Sequence, residues 1–295
     1  MTTPIQINPT ITQFCHQTWS LTATAQYLEQ QAEKTYLVVD KTPFHPVSHI
    51  WPDHPADRGY IIANQQQIKV EDCLVGAIEQ STGKLFVAED IPVKRDTEGW
   101  VFVVVHQLPA SSEAIEVGEP VELHVDQDYQ DSLSRGHSAG HVAYLALNQV
   151  LAEQYWRKDA DRKDPLGHYD FNSYAQVTSF VTPDLCTDKY RLGKTLKKRG
   201  LNVANMLENL SEIEIAVNQT IADWLEQESP VAMKLDGECL TDSRYWQWQK
   251  NESTLISIPC GGTHINSTAE LGNLAVKLTK LDDQHIEMQT HVNRG

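Results

Sequence analysis

Two short segments far apart in the chain each carry a pair of metal-binding side chains four residues apart. His137 and His141 lie in RGHSAGH, and Cys260 and His264 lie in PCGGTH. On a helix, residues i and i+4 project from one face, so the two imidazoles can grip a single ion. In the second segment Gly261 and Gly262 favour a turn that lets thiolate and imidazole fold toward a common point. An HxxxH pair alone is commonly two surface or core histidines. The two pairs together offer three nitrogens and one sulfur, a set that suits zinc. A fold able to use both must bring residues near 137 and near 260 side by side.

The stretches around these pairs set the expected architecture. Up to residue 130 the chain reads as short strands broken by turns: TYLVVD (35–40), GYIIA (59–63), QIKV (67–70), GKLFVA (83–88), WVFVVVHQL (100–108) and PVELHV (120–125). This predicts a β-barrel-like N-terminal domain over 1–130, bounded by the acidic stretch DQDYQD. Helical spacing of apolar residues from Ser134 to Tyr155 then predicts a helix, with Gly136 and Gly140 in its first turns marking close packing or a site. A second helix is expected from Ser211, where Ser211 and Glu214 have capping-box spacing and Ile213, Val217, Ile221, Trp224 and Leu225 form one apolar stripe. With strand-like VAMKL (231–235), TLISI (254–258) and LAVKLTKL (274–281), the region 131–295 reads as helices packed on an antiparallel sheet. The expected class is therefore α+β in two domains.

Composition narrows the function classes. The 295 residues are 40% hydrophobic and 22% charged. These are ordinary globular values. No run of about 18 apolar residues and no basic-then-apolar leader are present, which predicts a cytoplasmic protein with no membrane partner. Five widely spaced cysteines, an odd number, predict reduced thiols. A net charge of −16 argues against a general DNA or anionic-membrane binder. The charge is uneven: residues 1–130 hold 7 basic and 18 acidic groups, a balance of −11, and the remainder hold 17 and 22, a balance of −5. Lys189, Arg191, Lys194, Lys197, Lys198 and Arg199 fall in eleven residues without an acid among them. The run reads as a solvated helix face or loop, or as a phosphate-contacting patch.

Several motifs resemble the AlaX family, free-standing proteins related to the editing domain of alanyl-tRNA synthetase that share an HxxxH plus CxGTH zinc site. RGHSAGH (135–141) is similar to the family's RxHTAxH, and CGGTHINSTAELG (260–272) to its CGGTHVxxTGEIG. VVDKTPFHP (38–46) resembles a strand and turn ending TPFYP, HPADRG (54–59) resembles QPxDxG, VVVHQL (103–108) resembles a strand bearing a histidine, and SEIEIAVNQTI (211–221) resembles the long helix before the last motif. Two departures stand out. The family's glycine-rich GGGQ turn is replaced by VSHIWPDH, three residues longer, without glycine and with His54 where glutamine is usual; and the C-terminal IEMQTHVNRG lacks an Arg-rich closing strand.

The resemblance implies Zn2+ on His137, His141, Cys260 and His264, and hydrolysis in trans of the ester joining a wrong amino acid, serine foremost, to tRNA(Ala). Mischarged tRNA would be the partner, docking on the run from Lys189 to Arg199. Zinc lowers the pKa of bound water toward about 7 and polarises an ester carbonyl. Four protein donors leave no place for water, so Cys260, on its glycine turn, is expected to be the loosest ligand, or the ion becomes five-coordinate. His54 and Asp57 are the catalytic candidates by family position, with the Phe44–Gly59 loop walling one side of the pocket. Asp57 reads equally as a turn-forming carboxylate and His54 as a solvated loop residue. A titratable ring at 54 implies pH dependence near about 6.5. His45, His49 and His54 also form a local cluster that could hold a second metal. Two alternatives stay open: a binding protein in which zinc only holds the helix to the glycine turn, and a hydrolase of small free esters or amides.

Overall fold

The computed structural model describes residues 7–110, 112 and 114–293. The protein is α+β and its chain forms two compact units. One comprises Met1–Gln130 with Leu235–Arg244, the other Asp131–Lys234 with Tyr245–Gly295.

The first unit contains β1 (Ile11–Thr12), β2 (Ser20–Gln30), β3 (Lys34–Val39), β4 (Lys41–Thr42), β5 (Gly59–Ala63), β6 (Gln66–Val70), β7 (Asp72–Glu79), β8 (Lys84–Val87), β9 (Trp100–Pro109) and β10 (Pro120–Val125). Eight of these form one antiparallel sheet in the order β6-β5-β10-β2-β3-β9-β7-β8. The sheet curls, so that the N–H of Glu71, just past β6, reaches the carbonyl of Gln107 on β9. Curling explains why WVFVVVHQL is almost unbrokenly apolar. Val104 and Leu108 face an inner core with Leu37, Val39, Phe44, Ile61 and Leu123, whereas Val103 and Val105 face a second cluster with Tyr36, Val38 and Ile78. The β5–β6 hairpin turns at Asn64 and Gln65, whose φ values are 47° and 64°. Two successive positive values are those of a two-residue type I′ turn. The segment Leu235–Arg244 is fastened to this unit by its last residue. The buried Arg244 guanidinium donates to Thr12 Oγ1 at 2.6 Å and to the Cys239 carbonyl at 2.8 Å.

The remaining elements, which lie in the second unit apart from the first turn of α1 and the end residues Leu235 and Arg244, are α1 (Gln127–Gln154), α2 (Phe171–Ala175), β11 (Gln176–Thr182), β12 (Leu185–Arg191), α3 (Lys194–Arg199), α4 (Val203–Glu208), α5 (Leu210–Leu225), β13 (Val231–Leu235), β14 (Arg244–Asn251), β15 (Thr254–Pro259), β16 (Asn273–Lys280) and β17 (His285–Asn293). An antiparallel sheet β11-β12-β17-β16 and a three-stranded sheet β13-β14-β15 share a core with the helices. Val142, Leu145, Ala146 and Val150 of α1 and Ile213, Val217 and Ile221 of α5 meet Trp246, Trp248, Ile286 and Met288 there.

Local details differ from the pattern expected. Helix α1 starts at Gln127, seven residues before Ser134, because Asp126 accepts the Tyr129 N–H and the acidic stretch becomes its first turn. No capping box forms at Ser211. Asn209 precedes α5 without a side-chain cap, and Glu214 accepts from the Leu278 N–H at 2.7 Å. With Asn218, which exchanges two 2.8 Å bonds with Val276, it satisfies the open edge of β16. The basic run is no single helix face: Lys189 and Arg191 stand on β12, and the other four lie on α3. IEMQTHV, although not Arg-rich, is strand β17, lying between β12 and β16.

Gly136 and Gly140 explain how α1 reaches the sheet. A Cβ at Gly136 would lie 2.8–2.9 Å from backbone atoms of Thr182 and Leu185, and one at Gly140 would lie 2.7 Å from Cys186 Sγ. Glycine removes both obstacles, so the helix lies against β12 at backbone distance. Among the described residues no helix is long and apolar enough to cross a membrane.

Candidate metal centre

Helix α1 presents His137 and His141 one turn apart, their ring centroids 4.9 Å from each other. The loop after β15 brings Cys260 and His264 to the same place. Cys260 Sγ lies 3.4 Å from His137 Nε2 and 3.2 Å from His264 Nε2. One ligand atom from each of the four residues lies within 4.8 Å of the other three. The loop is fixed on its far side by a capping box: Ser267 Oγ accepts from Ala269, and Glu270 accepts from Asn266 and Ser267.

Two further side chains hold the imidazoles in register. Ser138 Oγ is 3.0 Å from His264 Nδ1 and accepts the Ile265 N–H at 3.3 Å, tying the loop to the helix. With its proton on Nδ1, the His264 ring donates to Ser138 and turns its Nε2 lone pair toward the cluster. Trp246 is fully buried with its ring 5.0 Å from that of His141 and 6.1 Å from that of His264, and Tyr144 stands edge-on to His141 at 5.9 Å. This aromatic wall desolvates His141 and pushes its pKa down to about 4. The ring is therefore neutral at pH 7, the form a metal ligand needs. His141 Nε2 is buried and has no hydrogen-bond partner among the described residues. An orphaned lone pair among two other imidazoles and a thiol fits a bound metal ion. Sequence reasoning missed Ser138 and Trp246. A hydroxyl between the two histidines was the available signal for Ser138; nothing local marks Trp246.

The remaining candidates stand on other elements. His54 and Asp57 belong to the N-terminal unit, and both are buried there. His54 Nδ1 is 2.8 Å from the Pro55 carbonyl, and its ring packs 4.4 Å from that of His45. Asp57 Oδ2 accepts the His45 N–H at 2.7 Å and the Gln130 amide at 2.5 Å, so its carboxylate closes the turn. His54 is thus not a solvated loop residue, and the expected titration near neutrality is displaced: burial lowers its pKa to about 4. A second metal site at His45, His49 and His54 does not form among the described residues, where the cluster on α1 is the one convergent donor group. His49 instead lies beside Phe102, 6.3 Å between ring centroids. Of the six cations, Arg199 is engaged internally, 2.7 Å from Asp161 and 4.5 Å over the Tyr174 ring; the other five side chains are exposed.

Burial of His54 and of His106, also lowered to about 4, has a consequence for stability. The unfolded state takes up protons from about pH 6.5 downward whereas the folded state does not until about 4, so stability is intact above about 6.5 and falls through that window. Each ring contributes on the order of 1–2 kcal/mol at about pH 5. Thermal melts of the metal-loaded protein are expected to shift down by several degrees between pH 7 and pH 5; a flat profile would remove the argument.

No family model matches the chain. The chain is similar to an alanyl-tRNA editing protein and to alanine–tRNA ligases. Over 199 residues the chain is 26% identical to the alanyl-tRNA editing protein AlaX-M of Pyrococcus horikoshii, covering 68% of this chain and 72% of that protein. It is 25% identical over 278 residues to the alanine–tRNA ligase of Caldivirga maquilingensis and 24% identical over 277 residues to that of Staphylothermus marinus. Those matches take in 94% and 90% of this chain but 26% and 24% of the ligases, so the chain spans about a quarter of their length.

Proposed function

We propose that this protein hydrolyses the ester of mischarged tRNA, with Ser-tRNA(Ala) as substrate, at a zinc ion held by His137, His141, Cys260 and His264, and that it works in the cytoplasm. The observation that carries the proposal is the convergence of four donors from two distant segments within 4.8 Å. Sulfur-to-nitrogen separations of 3.4 and 3.2 Å sit near the roughly 3.3–3.6 Å edges of a tetrahedron with zinc bond lengths. When bound, zinc supplies Lewis acidity, polarising an ester carbonyl and making water a better nucleophile near neutral pH. The chain's own groups prepare for this. Ser138 orients the His264 ring, desolvation keeps His141 neutral, and the buried Trp246 packs beside both His141 and His264. The names of AlaX-M and of the ligases, with the motif resemblance, support tRNA as the substrate class.

The test is turnover by the zinc-loaded chain on Ser-tRNA(Ala), Ala-tRNA(Ala) and a seryl ester of adenosine. Ser-tRNA(Ala) is expected to react with kcat/KM at least about 100-fold above Ala-tRNA(Ala), as for a site that bonds a substrate hydroxyl. Stoichiometric zinc without turnover would return the protein to a structural zinc, and turnover of the small ester alone would make it a general esterase.

A further inference from the structure

We propose that a basic cleft formed by Arg157, Lys158 and Lys197 is the phosphate-binding surface that receives the tRNA backbone. The proposal rests on the functional reading above and names a docking surface that the run from Lys189 to Arg199 only touches, through Lys197. The cleft encloses about 440 Å³ and is lined by the three cations together with Gly200, Leu201, Asn202, Val203 and Ala204.

Its frame is rigid. The segment leaving α1 zips against the segment leaving α3: Arg157 N–H donates to the Gly200 carbonyl at 2.9 Å, Asn202 N–H donates to the Tyr155 carbonyl at 2.8 Å, and Trp156 bridges Leu201. Gly200 makes the approach feasible. Its φ of 112° ends α3 in a left-handed turn. Glycine is the residue that adopts this conformation without steric cost. A Cβ there would lie 2.7 Å from Lys158 Cγ and 3.1 Å from the Lys158 carbonyl oxygen. Buried Leu201 and Val203 lie beneath, so the three side chains stand over an apolar floor.

The cations are uncommitted where their neighbours are not. Arg199 pairs with Asp161, Arg162 lies 3.6 Å from Asp170, and Lys163 sits over the Tyr169 ring. Among the described residues Arg157, Lys158 and Lys197 are exposed and make no ion pair, and the Asn202 side chain caps no helix N–H. Three free positive charges and an amide around one concavity suit an extended polyanion more than a single small acid. In a chain of net charge −16, long-range repulsion of a nucleic acid must be offset locally. A phosphodiester backbone does so by releasing counterions at each cation it meets.

The experiment compares three zinc-loaded proteins: the wild type, R157A/K158A/K197A, and a charge-matched control, K69A/K94A/K277A, whose side chains are exposed elsewhere. The probe is a tRNA(Ala) transcript titrated from about 0.05 to about 0.2 M monovalent salt. The cleft variant is expected to bind at least about tenfold more weakly, with a log–log salt slope lower by roughly 2 to 3, from about 0.7–0.9 per lost phosphate contact. Its zinc content and its hydrolysis of the seryl adenosine ester should match wild type. Unchanged affinity and slope, or an equal loss in the control, overturns the cleft while leaving the deacylase reading standing. A wild type that cleaves the small ester but binds no tRNA overturns the tRNA reading itself, and the cleft with it.

Discussion

Replacing His137 and His141 together with alanine is expected to leave the protein without zinc and to lower deacylation by about 1000-fold or more. The two imidazoles supply half of the donors, and the remaining pair, Cys260 and His264, sits on a loop tied to the helix by the Ser138 contacts. A thiol and one imidazole cannot hold zinc at the affinity of a four-donor set. A zinc ion that prefers the folded protein to the unfolded chain would, on its loss, remove up to RT ln(1 + [Zn]/Kd) of stability, about 4 kcal/mol where free zinc stands at about 1000 times Kd. Elemental analysis and melts with and without chelator read both effects. Wild type should lose thermal stability on chelation, and the double variant should not respond. Ser138→Ala provides the graded companion, because loss of the bond that orients a ligating histidine weakens metal binding by about 10- to 100-fold without abolishing it. Stoichiometric zinc in the double variant would place the ion elsewhere and remove the centre from the mechanism.

The difference between what the sequence discloses at this centre and what it conceals follows from range. Each ligand pair is an i,i+4 relation that can be read within five residues, and the glycines beside Cys260 announce a turn. Trp246 joins the site only through the packing of β14 on α1, and no spacing rule connects residue 246 to 141 or 264. The same distinction governs the strands. WVFVVVHQL and TYLVVD declare themselves because both of their faces are buried, as the two clusters that share β9 require. QVTSFVT does not, since most of β11 is exposed or half-buried and offers no alternation to read. In β17 the alternation is present, Ile286, Met288 and Val292 pointing inward with the buried Thr290, but one polar residue in the apolar row and an absent Arg-rich signature hide it. The run from Lys189 to Arg199 shows a different limit. Sequence counts its charges correctly but cannot tell that Arg199 is already paired, or that Arg157 and Lys158, outside the run, stand beside Lys197.

Asp57→Ala is expected to be the most destabilising single substitution among the candidate catalytic residues, costing about 3 kcal/mol or more in the N-terminal unit. The carboxylate is 2% exposed and accepts from two donors that are themselves buried, the His45 N–H and the Gln130 amide. Its own N–H donates to the His45 carbonyl, so residues 45 and 57 close the intervening loop through reciprocal bonds. Truncation removes the acceptor of the His45 N–H and the shorter of two contacts of the Gln130 amide, the other being the Pro43 carbonyl at 3.5 Å, and an unsatisfied buried group costs on the order of 1–3 kcal/mol. Asp57→Asn keeps one acceptor oxygen and should cost about 1–2 kcal/mol, with zinc content unchanged. The pair of variants separates a structural carboxylate from a catalytic one. If Asp57 closes the loop, denaturant midpoints fall in the order wild type, Asn, Ala, while turnover per folded molecule by the Asn variant stays within a few-fold of wild type. If it is a general base, the Asn variant instead loses about 100-fold or more in kcat at near-wild-type stability. Two buried donors directed at the same oxygen favour the first outcome, and the second would require this carboxylate to act as a base while it holds the loop closed.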